Sequence, residues 1–203
     1  MRKRLAGILL TGVAAAAMAL SAAPAQAAPT WSVTGSPGGT LSGAAGTTTL
    51  TDGGVVLKCT SSTAGGTIAN GTGLPGTNIA QITSITFVHC TGPAGLTFTV
   101  TQSGVWALNA VNYASGVTQG TITNVTAALS GPGCAATVSG SVAGTYTNST
   151  AVLNVDPTLN AALGTQLTVS GASGCFGLIH NGDHPTFSGA YTITPNTIAI
   201  TSP

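Results

Sequence analysis

The sequence predicts an all-β fold: a disulfide-clamped antiparallel β-sandwich, or its barrel-like variant, with at most one short helix. The first observation behind this is composition. Threonine and valine abound, glutamate is missing, and lysine, arginine and glutamine are scarce, a bias that suits pleated, half-buried surfaces. The second is alternation. In Leu96-Thr97-Phe98-Thr99-Val100-Thr101 the apolar side chains share one face and the threonines the other. The third is punctuation: short apolar runs are separated by glycine-rich turns, and four cysteines are spread along the chain.

The elements follow in order. Residues 1–27 read as a secretory signal peptide, with Arg2-Lys3-Arg4 as the positive region, Leu5 to Leu20 as the apolar core and Ala25-Gln26-Ala27 as the cleavage site. Residues 28–203 then form a single all-β domain, expected to be secreted or extracellular, at the cell surface or beyond it, with no transmembrane segment. Strands are expected over Val55–Ser61, Ile82–His89, Leu96–Thr101, Val105–Tyr113, Cys134–Thr147 and Ala151–Val155. Further strands are expected over Gln166–Ser170, Pro185–Ala190, Tyr191–Thr194 and Thr197–Thr201. Asp52-Gly53-Gly54, Asn70-Gly71 and Asn181-Gly182-Asp183 supply residues that tolerate positive φ, as tight hairpins require. Pro195-Asn196 reads as a turn. The one helix expected is capped by Asp156, has Pro157 in its first turn and ends at Gly164.

Cys59, Cys90, Cys134 and Cys175 make an even set in an exported chain, so disulfides are expected. Three connectivities are open. The expected one is sequential, Cys59–Cys90 and Cys134–Cys175, because each half then holds its own clamp. No pair has the close spacing of a zinc knuckle.

Charge excludes whole classes of function. Charged residues are 3% of the chain, against about 25% in an ordinary soluble domain. Residues 28–203 carry Lys58 against Asp52, Asp156 and Asp183, a net charge of −2. One lysine cannot release enough counterions to bind a nucleic acid, so none is expected as a partner. Without glutamate the commonest glycosidase arrangements are missing. No Gly-x-Ser-x-Gly elbow is present for a serine hydrolase. No enzyme and no cofactor are expected.

Two groups of residues remain as site candidates. Trp106 and Tyr113 could line a cleft for an apolar or carbohydrate ligand, although a tryptophan in such a strand is more often core. His180, Asp183 and His184 are suitable zinc or copper ligands, with His89 as a further imidazole that folding could bring in. Successive residues of a hairpin alternate faces, so the expected reading of that cluster is a solvated hairpin tip with no metal. Leu74-Pro75-Gly76-Thr77-Asn78 has the look of a sorting signal but reads as a Pro-Gly turn. The Asn-x-Thr tripeptides at Asn70, Asn124 and Asn148 would matter only with a eukaryotic glycosylation pathway.

With Trp31-x-Val33-x-Gly35, Cys59-Thr60, Phe87-Val88-His89-Cys90, the Trp106 strand, Gly133-Cys134 and the Gly189–Ile200 segment, the chain resembles a group of uncharacterised small secreted actinobacterial β-proteins. The resemblance covers nearly all of residues 28–203 and implies a scaffold with no known catalytic residues. In its cysteine-bearing strands and tryptophan strand the chain is similar to secreted activators of alkane oxidation in pseudomonads. Its composition resembles the apoproteins of enediyne chromoproteins, which are β-sandwiches that carry a small hydrophobic molecule. The expected function is a non-enzymatic structural or interaction module, partnered by a cell-envelope component or by itself. The alternative is an extracellular carrier of a small apolar or carbohydrate ligand, and the third reading is a metal-binding protein or metal-dependent enzyme. A filled core with flat exposed edges would favour the first, a concave apolar cavity the second.

Overall fold

Strands rich in threonine and valine are held by pairing with their neighbours, and the described residues form sixteen strands, each paired with at least one other. The computed structural model describes residues 30–202, so the signal-peptide reading of residues 1–27 lies outside the described residues. In chain order the strands are β1 Trp31–Thr34, β2 Thr40–Ala45, β3 Thr48–Asp52, β4 Val55–Cys59, β5 Ser61–Ile68, β6 Gly71–Leu74, β7 Ala80–Val88 and β8 Cys90–Thr91. They continue with β9 Thr97–Gln102, β10 Trp106–Ala114, β11 Val117–Gly131, β12 Cys134–Thr147, β13 Val152–Val155, β14 Leu167–Gly174, β15 Thr186–Thr194 and β16 Ala199–Thr201. Among the described residues a single short α-helix, α1 Asn160–Leu163, lies between β13 and β14.

The main sheet closes on itself. Antiparallel pairing runs from β11 through β12, β13, β15, β2, β5, β7 and β10 back to β11, an eight-stranded ring. The architecture is therefore the barrel-like variant of the expected all-β fold. β11 and β12, of 15 and 14 residues, are long enough to extend past the ring. Beyond it, β9 pairs with the second half of β11, and β8, β4 and β3 lead on to β15. β14 flanks the first half of β12.

A separate three-stranded sheet, β16-β1-β6, belongs to one end of the barrel. The Tyr146 hydroxyl donates to the Ile198 carbonyl at 2.8 Å, and the Asn148 side chain both donates to and accepts from the backbone of Ile200. Trp31 and Val33 of β1 are fully buried. Gly35, which ends this run, has φ +78°, and a Cβ there would sit 1.9 Å from the Thr197 carbonyl oxygen. Only glycine fits that turn.

Several turns act as the sequence implied. Gly53 and Gly54 take positive φ in the β3–β4 hairpin. Asp156 Oδ1 accepts from the Thr158 backbone N–H and hydroxyl, and Gly164 ends α1 at φ +62°. Three expectations need correction. Asn70-Gly71 makes no hairpin: β6 leaves β5 and pairs with β1, and the Asn70 side chain donates to Ser36. The segments Pro185–Ala190 and Tyr191–Thr194 are one strand, β15, whose first half pairs with β3 and whose second half pairs with β2. Asn181-Gly182-Asp183 is not a hairpin tip but a turn laid along the outer edge of β14.

Both disulfides follow the sequential pairing. Cys59–Cys90 ties the end of β4 to β8, and Cys134–Cys175 ties the start of β12 to the turn after β14. They close loops of 31 and 41 residues. Replacing either pair by alanine is expected to lower unfolding stability by about 3–4 kcal/mol through the entropy returned to the unfolded chain. Urea denaturation of the two double variants measures this, and non-reducing peptide mapping checks the pairing.

Candidate functional site

An eight-stranded barrel is just wide enough for its inward side chains to fill the interior or to enclose one small ligand. Here the inward positions include glycine and alanine, such as Gly43, Ala80 and Ala127, between larger residues such as Ile82, Ile122 and Leu129. Aromatic residues are only 4% of the chain, so few large side chains are available to occupy the axis. The result is a lumen with an apolar cavity of about 150 Å³. Ile198, just before β16, and Ile200 of β16 line it, as do Leu50, Leu57, Phe87 and Phe187. Phe87 and Phe187 meet edge to face with centroids 6.0 Å apart.

Most polar groups along the lumen are satisfied within the protein. The Tyr191 hydroxyl donates to Ser62 Oγ at 3.1 Å, and burial pushes its pKa up to about 12 despite that hydrogen bond. Burial also raises the Tyr146 pKa. Both tyrosines are therefore neutral at physiological pH. The Asn109 side chain donates to Thr121 and Thr123 and accepts from the Asn78 N–H.

Three polar atoms of lumen-lining residues are different. Thr48 Oγ1, Trp106 Nε1 and Thr118 Oγ1 are sealed within the wall and have no hydrogen-bond partner among the described residues. Unpaired buried groups of this kind are uncommon and costly. Trp106, singled out from sequence, lines the cavity and is 6% exposed. Tyr113, its companion candidate, packs partly buried against the core but does not line the cavity. Thr48 and Thr118 look like any other threonine in the sequence, and only the tertiary fold buries them.

The polar cluster at 180–184 is built by a strap. The Val169 N–H donates to the Asp183 carbonyl, the Gly182 N–H to the Val169 carbonyl and the Ala172 N–H to Asn181 Oδ1. His184 Nδ1 lies 3.0 Å from the Leu167 carbonyl, so that imidazole is engaged by β14. His180 Nδ1 lies 3.5 Å from Asp183 Oδ2, which also accepts from the His180 backbone N–H at 2.6 Å. Among the described residues no three His, Cys, Asp or Glu side chains converge on one point, and His89 does not complete a ligand set with this cluster.

What the fold does bring to the strap is Asp52, from the β3–β4 hairpin. Its Oδ2 is sheltered from solvent and has no hydrogen-bond partner among the described residues. Burial, then repulsion from Asp183, raises the Asp52 pKa above the ordinary carboxylate value, against the smaller opposing pull of His180 and His184. Asp183 moves the other way, chiefly because the His180 backbone N–H stabilises its anion. Sequence reasoning placed Asp52 only in a turn, because nothing local connects it to a residue more than a hundred positions away.

Comparisons with protein-family models, with curated proteins and with solved structures find no match for this chain. Its chemistry therefore rests on its own geometry, which is a neutral apolar lumen at the barrel axis and a pair of acidic side chains at the β3–β4 end.

The two aspartates give opposite pH signatures. Asp52, with its raised pKa, contributes stability that is full below the ordinary value of 3.8 and is lost as pH rises through its folded value. Asp183, with its lowered pKa, contributes stability above 3.8 that is lost as pH falls through its folded value. Asp52→Asn removes the repulsion and is expected to raise Tm at pH 7 and to leave it unchanged at pH 3. Thermal unfolding at the two pH values checks the sign.

Proposed function

We propose that this protein is a non-enzymatic extracellular carrier whose barrel lumen takes up a small apolar molecule. The observation that carries the reading is the apolar cavity of about 150 Å³ enclosed by the barrel wall. A dry apolar cavity of that size is known to accept a molecule such as benzene. The two lumen tyrosines stay neutral, and among the described residues no other titratable side chain lines the cavity, which supports binding over catalysis, since acid–base or nucleophilic chemistry needs a poised group at the reacting centre. Two disulfides suit an oxidising compartment, and among the described residues no helix is long and apolar enough to cross a membrane.

The test is binding of benzene and toluene, followed by calorimetry and by the rise in Tm with ligand concentration. Saturation at 100 times Kd is expected to stabilise the protein by about 2.7 kcal/mol. Ala127→Leu, which fills the cavity from one wall, is expected to abolish the ligand-dependent rise. No saturable binding by the unsubstituted protein would sink the carrier reading.

A second reading, an envelope-binding or self-associating module, is supported by the exposed apolar side chains Phe176 and Leu178, 68% and 44% accessible, beside the Cys134–Cys175 bridge. With so little charge on the chain, such association would be insensitive to salt. Sedimentation and envelope binding from low to high ionic strength are expected to give unchanged affinity. A steep loss with salt would reject apolar contact as its basis.

A further inference from the structure

We infer that the lumen is a long, narrow slot whose ligand is an unbranched hydrocarbon chain lying along the barrel axis. This rests on the carrier reading and names the ligand class. Length and volume together decide the shape. Thr118 and Leu129 both line the cavity, although they stand eleven residues apart on β11. Strand rise, reduced for the tilt of barrel strands and for the bulge after Ile122, separates them by about 25 Å along the axis. The neighbouring strand agrees: Tyr146, opposite Thr118, and Val138, opposite Ala127, line the same cavity. A compact cavity of about 150 Å³ would span only about 10 Å between its lining atoms, even with the radius of a water molecule added on each side. A cavity of that volume that reaches both ends of β11 is therefore drawn out along the axis and is a single alkyl chain in width.

The wall suits methylene groups and little else. The tyrosine hydroxyls are engaged by Ser62 and by the Ile198 carbonyl, and the Asn109 amide donates to Thr121 and Thr123. The unpaired polar atoms of Thr48, Trp106 and Thr118 are sealed within the wall. A file of waters would lack the two to four polar contacts that each buried water needs. A polar group on the ligand would lose its hydration with nothing in exchange. A chain gains with every carbon it adds along the slot, whereas a branched body fills one stretch and forces the close-packed wall apart.

The experiment measures Kd by headspace partition for the straight alkanes from n-pentane to n-octane and for 2,2,4-trimethylpentane, the branched isomer of n-octane. Kd is expected to fall about fourfold for each carbon added to the straight chain, the gain from one buried methylene. The branched isomer, with the same atoms in a wider body, is expected to bind at least about tenfold more weakly than n-octane. Saturating n-octane is also expected to shift the methyl resonances of both Leu129 and Ile200, which lie toward opposite ends of the lumen. A Kd that stops falling beyond n-pentane, equal binding of the two isomers, or a response at one end alone overturns the slot inference and leaves the carrier reading standing. Binding of benzene without binding of any alkane does the same. Failure of benzene and of every alkane to bind overturns the two together.

Discussion

The closure of the sheet through the β11–β12 pair is the constraint on which the rest of the molecule depends. This chain has almost no charge with which to protect a sheet edge, and an open edge of threonine and valine invites pairing with another copy. Joining β12 to β11 turns eight strands into a ring in which each strand has a neighbour on both sides. The length of these two strands lets the ring continue beyond itself, to β9 on one side and β14 on the other. The disulfides then hold the periphery, at the end of β4 and at the start of β12, where strands are short or give way to turns.

The same closure creates the lumen. A ring of eight strands has a diameter set by strand number and stagger, not by the side chains available to fill it. A sequence rich in glycine, alanine and threonine supplies little volume, so the backbone hydrogen bonds fix a space that the side chains do not fully occupy. In a core closed by side-chain packing alone, the walls would collapse toward small residues. Here the ladder resists that collapse, and the cavity persists. Low charge and a cavity are thus two consequences of one composition. The hydroxyl-rich outer face hydrates the protein, and the poverty of large side chains leaves the inside open.

The acidic pair shows the cost of bringing distant segments together at the β3–β4 end of the barrel. The strap at 180–183 takes its backbone hydrogen bonds from β14, and that fastening sets Asp183 against Asp52. In a protein with three aspartates in its described residues, two of them share one corner. Nothing on the β14 side neutralises both, and the histidines, His180 at Asp183 and His184 on Leu167, compensate only in part.

Much of this was legible in the residues themselves. Alternation over Leu96–Thr101 announced β9, the run Cys134–Thr147 announced β12 with its bounds, and Asp156, Pro157 and Gly164 announced the one helical segment. These are local signals, read from periodicity and capping over a few residues. β11, the longest strand, escaped because its inward set changes phase. Thr118 and Ile122 are buried before the register shift between Ile122 and Val125, and Val125, Ala127 and Leu129 after it, with Asn124 at φ +59° in the bulge. A period-two pattern interrupted in mid-strand looks like no pattern at all. The lining of the lumen was equally hidden: Trp106 stood out in the sequence as a candidate, but Thr118 is buried against the cavity only because the sheet curls and closes. The sequence by itself determined the strand class, the scarcity of charge and the even cysteine set that forms the two disulfides, because those follow from composition and local order. Only the tertiary structure decided that the sheet is a barrel, that its axis holds a cavity and that Asp52 meets Asp183, because each of these depends on long-range register that no local segment encodes.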